Sequence, residues 1–185
     1  LYNIFMGLIM LNQIPKIDFN SLSNESHNDY QIEQKKLKKA VTDYGFLIIK
    51  NYPINFQNIN NVFALYRDFF KQDLDEKDKV NMSKTSSNRG WGGIKAEQVN
   101  ADFNPDNKEI FDCGPNIKVN HQFQDLPYYS KNIWPDGIPS FENKIMEFYK
   151  SCSEISISIL KQIEISLNYS SNFFANKFEL PMALL

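Results

Sequence analysis

Histidine is the scarcest chemically useful residue in this chain: His27 and His121 are its only two. Non-haem Fe(II) is held by two histidines and one carboxylate on one face, which leaves open positions for small molecules. His27-Asn28-Asp29 has the His-X-Asp spacing of two such ligands, and His121 is available as a third. Ligands of this kind need rigid elements that aim both side chains at one point. "SNESHNDYQ" instead reads as a polar loop leading into a helix, where Asp29 serves equally well as the helix cap. His121, in "VNHQFQD", lacks a close carboxylate or thiolate at ligand spacing and reads as a solvated loop histidine.

A second chemical stretch is Ser87-Asn88-Arg89-Gly90-Trp91-Gly92-Gly93, three glycines around an arginine and an indole. The phosphate-loop pattern and the dinucleotide fingerprint are both missing, so the glycines do not form a phosphate cradle of either kind. No serine lies in a Gly-X-Ser-X-Gly turn, which removes the corresponding hydrolase chemistry. What is left is a planar guanidinium fork, which matches a carboxylate bidentately, beside flexible backbone and an aromatic ring. A surface arginine that is merely solvated is the plainer alternative.

These residues need elements to position them. At 185 residues, 42% hydrophobic and 23% charged, the chain has the length of one ordinary globular domain with a true core. Its formal net charge of -2, with lysines spread along helices, leaves no footprint for nucleic acid. Cys113 and Cys152 are far apart and in no CxxC, which suits two buried thiols in a reducing cytoplasm. The opening "LYNIFMGLIMLNQ" has neither a basic leader nor a cleavage site and is too short to span a bilayer. Met6 and Met10 offer internal starts, so residues 1–9 are expected to be a non-native or upstream extension, with the folded region at 10–185.

Along the chain, Ile14–Phe19 alternates as a half-buried strand, with Pro15 favouring a sheet edge. Ile32, Leu37, Ala40, Val41 and Tyr44 mark a helix over residues 31–44, which Gly45 caps. Phe46–Ile49 is a brief apolar run expected to be a buried strand. Ile59, Val62, Phe63, Tyr66, Phe69 and Phe70 form the stripe of a second helix, and the charged "DLDEKDK" after it reads as surface. Residues 89–139 read as loops, where function often resides. Phe141 through Ile163 keep three- and four-residue apolar spacing and predict a long helix. A short helix at Asn172–Phe178 leads into the apolar run "ELPMALL".

Taken in order, "IPKIDF", "LKKAVTDYGFLIIKNYPI", "DLDEKDKV", "NRGW", "DNKEIFDCGP" and "NIWPDGIPSFENKIMEFYK" resemble the N-terminal region of the isopenicillin N synthase-like, 2-oxoglutarate- and Fe(II)-dependent dioxygenases. Tyr52-Pro53 stands where that family has His-Gly, and Trp91 where it has Tyr. The resemblance implies an α+β fold: the helices and flanking strands that buttress a double-stranded β-helix, or jelly-roll, cut before the metal-binding strands. The family's His-X-Asp pair, distal His and Arg-X-Ser all come after the region matched. The resemblance also makes Arg89 and Trp91 candidate substrate-binding residues, Arg89 on a substrate carboxylate and Trp91 as wall.

The function implied is therefore the N-terminal part of an oxidoreductase. It would use Fe(II), O2 and 2-oxoglutarate on a small organic substrate, in the cytoplasm, without nucleic acid or membrane. No metal ligand and no catalytic residue is assigned within the chain, so the chain alone is expected to be inactive. Isopenicillin N synthase resembles this region yet needs no 2-oxoglutarate, so use of that cosubstrate stays open. The alternatives are a truncated, non-catalytic interaction module derived from the fold, and an unrelated α+β binding domain.

Overall fold

A computed structural model describes residues 14–185 except 86, 87, 99, 101, 103, 119, 175, 176 and 179. The expected extension at residues 1–9, and Ser87 of the glycine-rich stretch, lie outside the described residues. The chain is α+β and folds as two compact units: residues up to Ile54 with Ser153–Glu179, and Asn55–Cys152 with Leu180–Leu185.

The first unit opens with β1 (Lys16–Asp18), followed at once by the one-turn helix α1 (Phe19–Leu22). Asp18 ends the strand and starts the helix, because its side chain accepts the Ser21 N–H at 3.2 Å. In α2 (Tyr30–Lys39) the buried positions are Tyr30, Glu33, Gln34 and Leu37, the spacing of one helical face. The helix runs on as a π-helical turn, Ala40–Tyr44, and Gly45 closes it with φ of 70° and its N–H on the Ala40 carbonyl.

β2 (Ile48–Lys50) pairs in parallel with β1, Ile17 opposite Ile49, in a sheet of only two strands. This corrects the expectation of a strand buried throughout. Leu47 and Ile49 pack on Ile17, Leu22 and Leu37, whereas Phe46 is 72% and Ile48 37% exposed. With one covered face, the run obeys the two-residue period of any half-buried strand. Beneath it, Tyr30 Oη donates to Gln162 Oε1 at 3.1 Å and accepts from Gln34 Nε2 at 3.1 Å, a buried polar cluster inside an apolar core.

The second unit begins with α3 (Phe56–Phe70), capped by the Asn55 side chain on the Gln57 N–H. Val62 and Phe69 are buried, but Phe63 of the expected stripe is 65% exposed, since it falls outside the arc that meets the core. The short α4 (Leu74–Asp78) follows. Two strands then cross the region read from sequence as loops: β3 (Gly90–Gly92) and β4 (Ile110–Asp112), antiparallel with Trp91 opposite Phe111. The long α5 (Phe141–Ser166) has the predicted spacing, with Phe141 and Ile145 buried in this unit's core. Its alternating Ile155–Ile159 run is helical.

The core is largely aromatic. Phe111 lies 4.8 Å from Phe69 and 5.3 Å from Phe141, ring to ring, both edge-on. Such contacts add about 0.5–1.5 kcal/mol each beyond burial of area. At the chain's end, Leu185 and Cys113 exchange backbone hydrogen bonds of 3.0 and 3.1 Å, which adds a residue to the β4 edge. The short helix expected at Asn172–Phe178 is described only at its ends: Lys177 and Phe178 donate to the Phe174 carbonyl, and Ala175 and Asn176 lie outside the described residues. Among the described residues no helix is long and apolar enough to cross a membrane.

Candidate functional site

The site is built from the start of β3. Gly90 has φ of 106°, and a Cβ there would lie 2.3 Å from the Val80 carbonyl oxygen and 2.7 Å from Ile133. Only glycine lets the strand approach so closely. Trp91 then donates its backbone N–H to the same Val80 carbonyl at 2.7 Å. The flanking residue Arg89 is turned inward and is 1% exposed.

Burial of Arg89 depends on a second glycine. A Cβ on Gly114 would sit 1.4 Å from Arg89 Nη1 and 2.2 Å from Cζ, so the guanidinium occupies the space a side chain would fill. Nη2 donates to the Tyr128 carbonyl at 2.8 Å, while Nη1 is enclosed without a hydrogen-bond partner among the described residues. Desolvation lowers the Arg89 pKa, opposed by Cys113, Tyr149 and Asp112 nearby. Arginine remains charged even so, because its ordinary pKa is so high. The Cys113 thiol, fully buried alongside, is pushed up by burial to about 11 and is no ready nucleophile.

Trp91 has a different setting. It is 4% exposed, its Nε1 donates to Glu109 Oε2 at 3.1 Å, and Lys77 Nζ lies 5.6 Å from the ring centre. Lys77 grips both Glu109 oxygens, at 2.8 and 3.0 Å. This hydrogen bond is the main reason the Glu109 pKa is lowered, with the Trp91 bond adding to it. Sequence reasoning missed the pair, since "DLDEKDK" read as surface. The available signal was the apolar Val80, three positions after Lys77 at the end of the charged run.

The histidines form no such arrangement. His27 and Asp29 are exposed, 4.0 Å apart at the nearest side-chain atoms, and His27 Nδ1 accepts the Asp29 backbone N–H. Asp29 occupies the cap position of α2 with no side-chain cap bond. His121 Nδ1 accepts the Phe123 N–H at 3.2 Å. Among the described residues no group of three or more His, Cys, Asp or Glu side chains could hold a metal ion. The described residues therefore do not fit an iron site.

Cavities are also present among the described residues of both units. One of about 170 Å³ in the first unit is lined by Ile157, Leu160 and Phe174, with the Glu164 carboxylate accepting the Phe174 N–H. Another, of about 360 Å³ in the second unit, lies between residues 115–118 and the segment from Gln124 to Lys131.

Comparison with known proteins gives this geometry a setting. The chain is 32% identical to a homoarginine-6-hydroxylase from Arabidopsis thaliana over 145 residues, 77% of this chain and 43% of that one. It is 28% identical to a proline hydroxylase from Petromyces alliaceus over 170 residues, 88% of this chain and 50% of the relative. The chain thus spans about half the length of the curated relatives it matches. Its fold is that of part of a protein ascribed to the 2OG-Fe(II) oxygenase family in Caulobacter crescentus, with a TM-score of 0.74, 23% identity, and coverage of 88% of this chain and 51% of that one. A full-length Neurospora crassa protein in complex with alpha-KG and thymine gives a TM-score of 0.68 at 24% identity, covering 87% of this chain and 50% of that one. A family model described as "non-haem dioxygenase in morphine synthesis N-terminal" matches residues 14–137, and the chain belongs to that family.

Proposed function

We propose that this chain is the N-terminal part of a non-haem Fe(II)- and 2-oxoglutarate-dependent dioxygenase that oxidises a small organic substrate with O2. The family match over residues 14–137 carries this reading, and 2-oxoglutarate-dependent oxygenases among its relatives support it. The metal ligands and the rest of the jelly-roll are taken to come from outside these 185 residues. Residues 1–185 alone, with added Fe(II), are expected to turn over no 2-oxoglutarate. Clear turnover would overturn that and return His27, Asp29 and His121 to candidacy.

Within this enzyme, Arg89 holds a carboxylate of the substrate. The supporting observation is its enclosed Nη1, a charged donor already removed from water and without a partner among the described residues. A bound carboxylate would compensate that donor. Trp91 contributes as wall, its indole fixed by Glu109 and Lys77. In the full-length protein, Arg89→Ala should raise KM for a carboxylate substrate at least tenfold and leave iron content unchanged. Loss of iron would instead assign the residue to structure alone.

A further inference from the structure

We propose that the cavity of about 360 Å³ in the second unit binds a small acidic amino acid, a ligand with two carboxylates and one ammonium group. Its volume lies in the range of small-molecule sites, which runs from roughly 300 to 1,000 Å³.

The lining is mixed, apolar at Pro115 and Ile117 and polar elsewhere, and most of its uncharged polar groups are already used within the chain. Ser130 Oγ donates to the Pro127 carbonyl at 2.9 Å, and Tyr129 Oη to the Leu180 carbonyl at 2.7 Å. Asn116 Oδ1 accepts from Asn132 at 2.9 Å, and Gln124 Oε1 accepts the Asn120 N–H at 2.7 Å. The charged groups Lys118, Lys131 and Asp125 remain, and none of them enters an ion pair with a described residue. Single unpaired surface charges are ordinary; here two lysines and one aspartate, all exposed, line one concavity. The complement of that set is two carboxylates and one ammonium.

The walls are also braced. Gly114 leads into one wall and Tyr128 into the other, and Arg89 touches both, packing on Gly114 and donating to the Tyr128 carbonyl. Asn132 binds the Gly114 N–H and carbonyl, each at 2.9 Å, and reaches Asn116 as well. Segments fixed this way hold their charges apart with less ordering left to the ligand.

The test is titration calorimetry on the 185-residue chain, without iron, using L-glutamate, glutarate and L-glutamine. L-glutamate should bind saturably and at least tenfold more tightly than either analogue. Lys118→Met and Lys131→Met should each weaken L-glutamate and glutarate about tenfold. Asp125→Asn should weaken L-glutamate about fivefold and leave glutarate unchanged. Lys144→Met, on α5, is the control and should change nothing. Equal binding of glutarate and L-glutamate, insensitivity to Asp125→Asn, or no saturable binding at 10 mM would each overturn the proposal, provided unfolding curves show the variants folded. Because iron is absent from the titration, its failure leaves the oxygenase reading standing, and a failure of turnover in the full-length protein leaves the cavity standing.

Discussion

Lys77 and Arg89 are two cations in one unit at similar depth, 6% and 1% exposed, with opposite surroundings. Lys77 meets a carboxylate through two hydrogen bonds and lies under an indole. Among the described residues Arg89 has one backbone carbonyl as hydrogen-bond partner and one unpaired nitrogen. Burying a charge costs several kcal/mol unless it is paired. The paired lysine is explained by the fold it ties together, β3 to the approach of β4. The arginine, with no carboxylate partner among the described residues, gains nothing comparable from its burial.

The contrast can be broken at its foundation first. Gly90→Ala should destabilise the chain by about 3–5 kcal/mol, combining left-handed strain with overpacking. Its added Cβ would meet the Val80 carbonyl oxygen at 2.3 Å, and urea denaturation would measure the loss. A loss below about 1 kcal/mol would mean that β3 is free to shift, and with it Arg89.

Lys77→Met comes next, at roughly 2–3 kcal/mol. That is less than the 3–5 kcal/mol or so of a fully buried broken pair, because the Glu109 side chain stays 26% exposed. Adding Glu109→Leu should recover most of the loss, since an apolar pair strands no charge. If the double variant is no better than Lys77→Met, the pair is not what the site depends on.

Glu109→Gln should cost about 1 kcal/mol near neutral pH, the difference between a charge-assisted and a neutral hydrogen bond. The folded-state pKa of Glu109 lies below its unfolded value, with Lys77 as the first cause. Its contribution is therefore complete above the ordinary glutamate range, near 4.3, and disappears as pH falls through the lowered folded value. Melting curves of wild type and Glu109→Gln should converge in acid. A gap that persists there would assign the effect to packing.

The smallest effect is expected at Arg89. Arg89→Met removes one hydrogen bond and one uncompensated burial of charge, so stability should stay within about 1 kcal/mol of wild type. Chemical denaturation that shows a loss as large as that of Lys77→Met would end the contrast between the two cations.

The helices were legible because their information is local. Apolar spacing placed α2, α3 and α5, and Gly45 marked a helix cap, though the π-helical turn and the exposure of Ile32, Phe46, Ile48 and Phe63 were not visible. The β3–β4 pair escaped notice because three-residue strands far apart in the chain leave no periodicity to read. Arg89 stood out through its residue type, and the resemblance gave it a role, but its enclosure did not follow from either.

The sequence by itself determined the helical half of the architecture, the membership suggested by ordered segments, and the short list of residues able to do chemistry. The tertiary structure decided which of those residues are paired. Lys77 finds Glu109 from 32 positions away, and Arg89 takes the space that Gly114 leaves. The reason is physical: helix periodicity is written within a few residues, whereas the cost of a buried charge is set by whatever partner the fold brings to it.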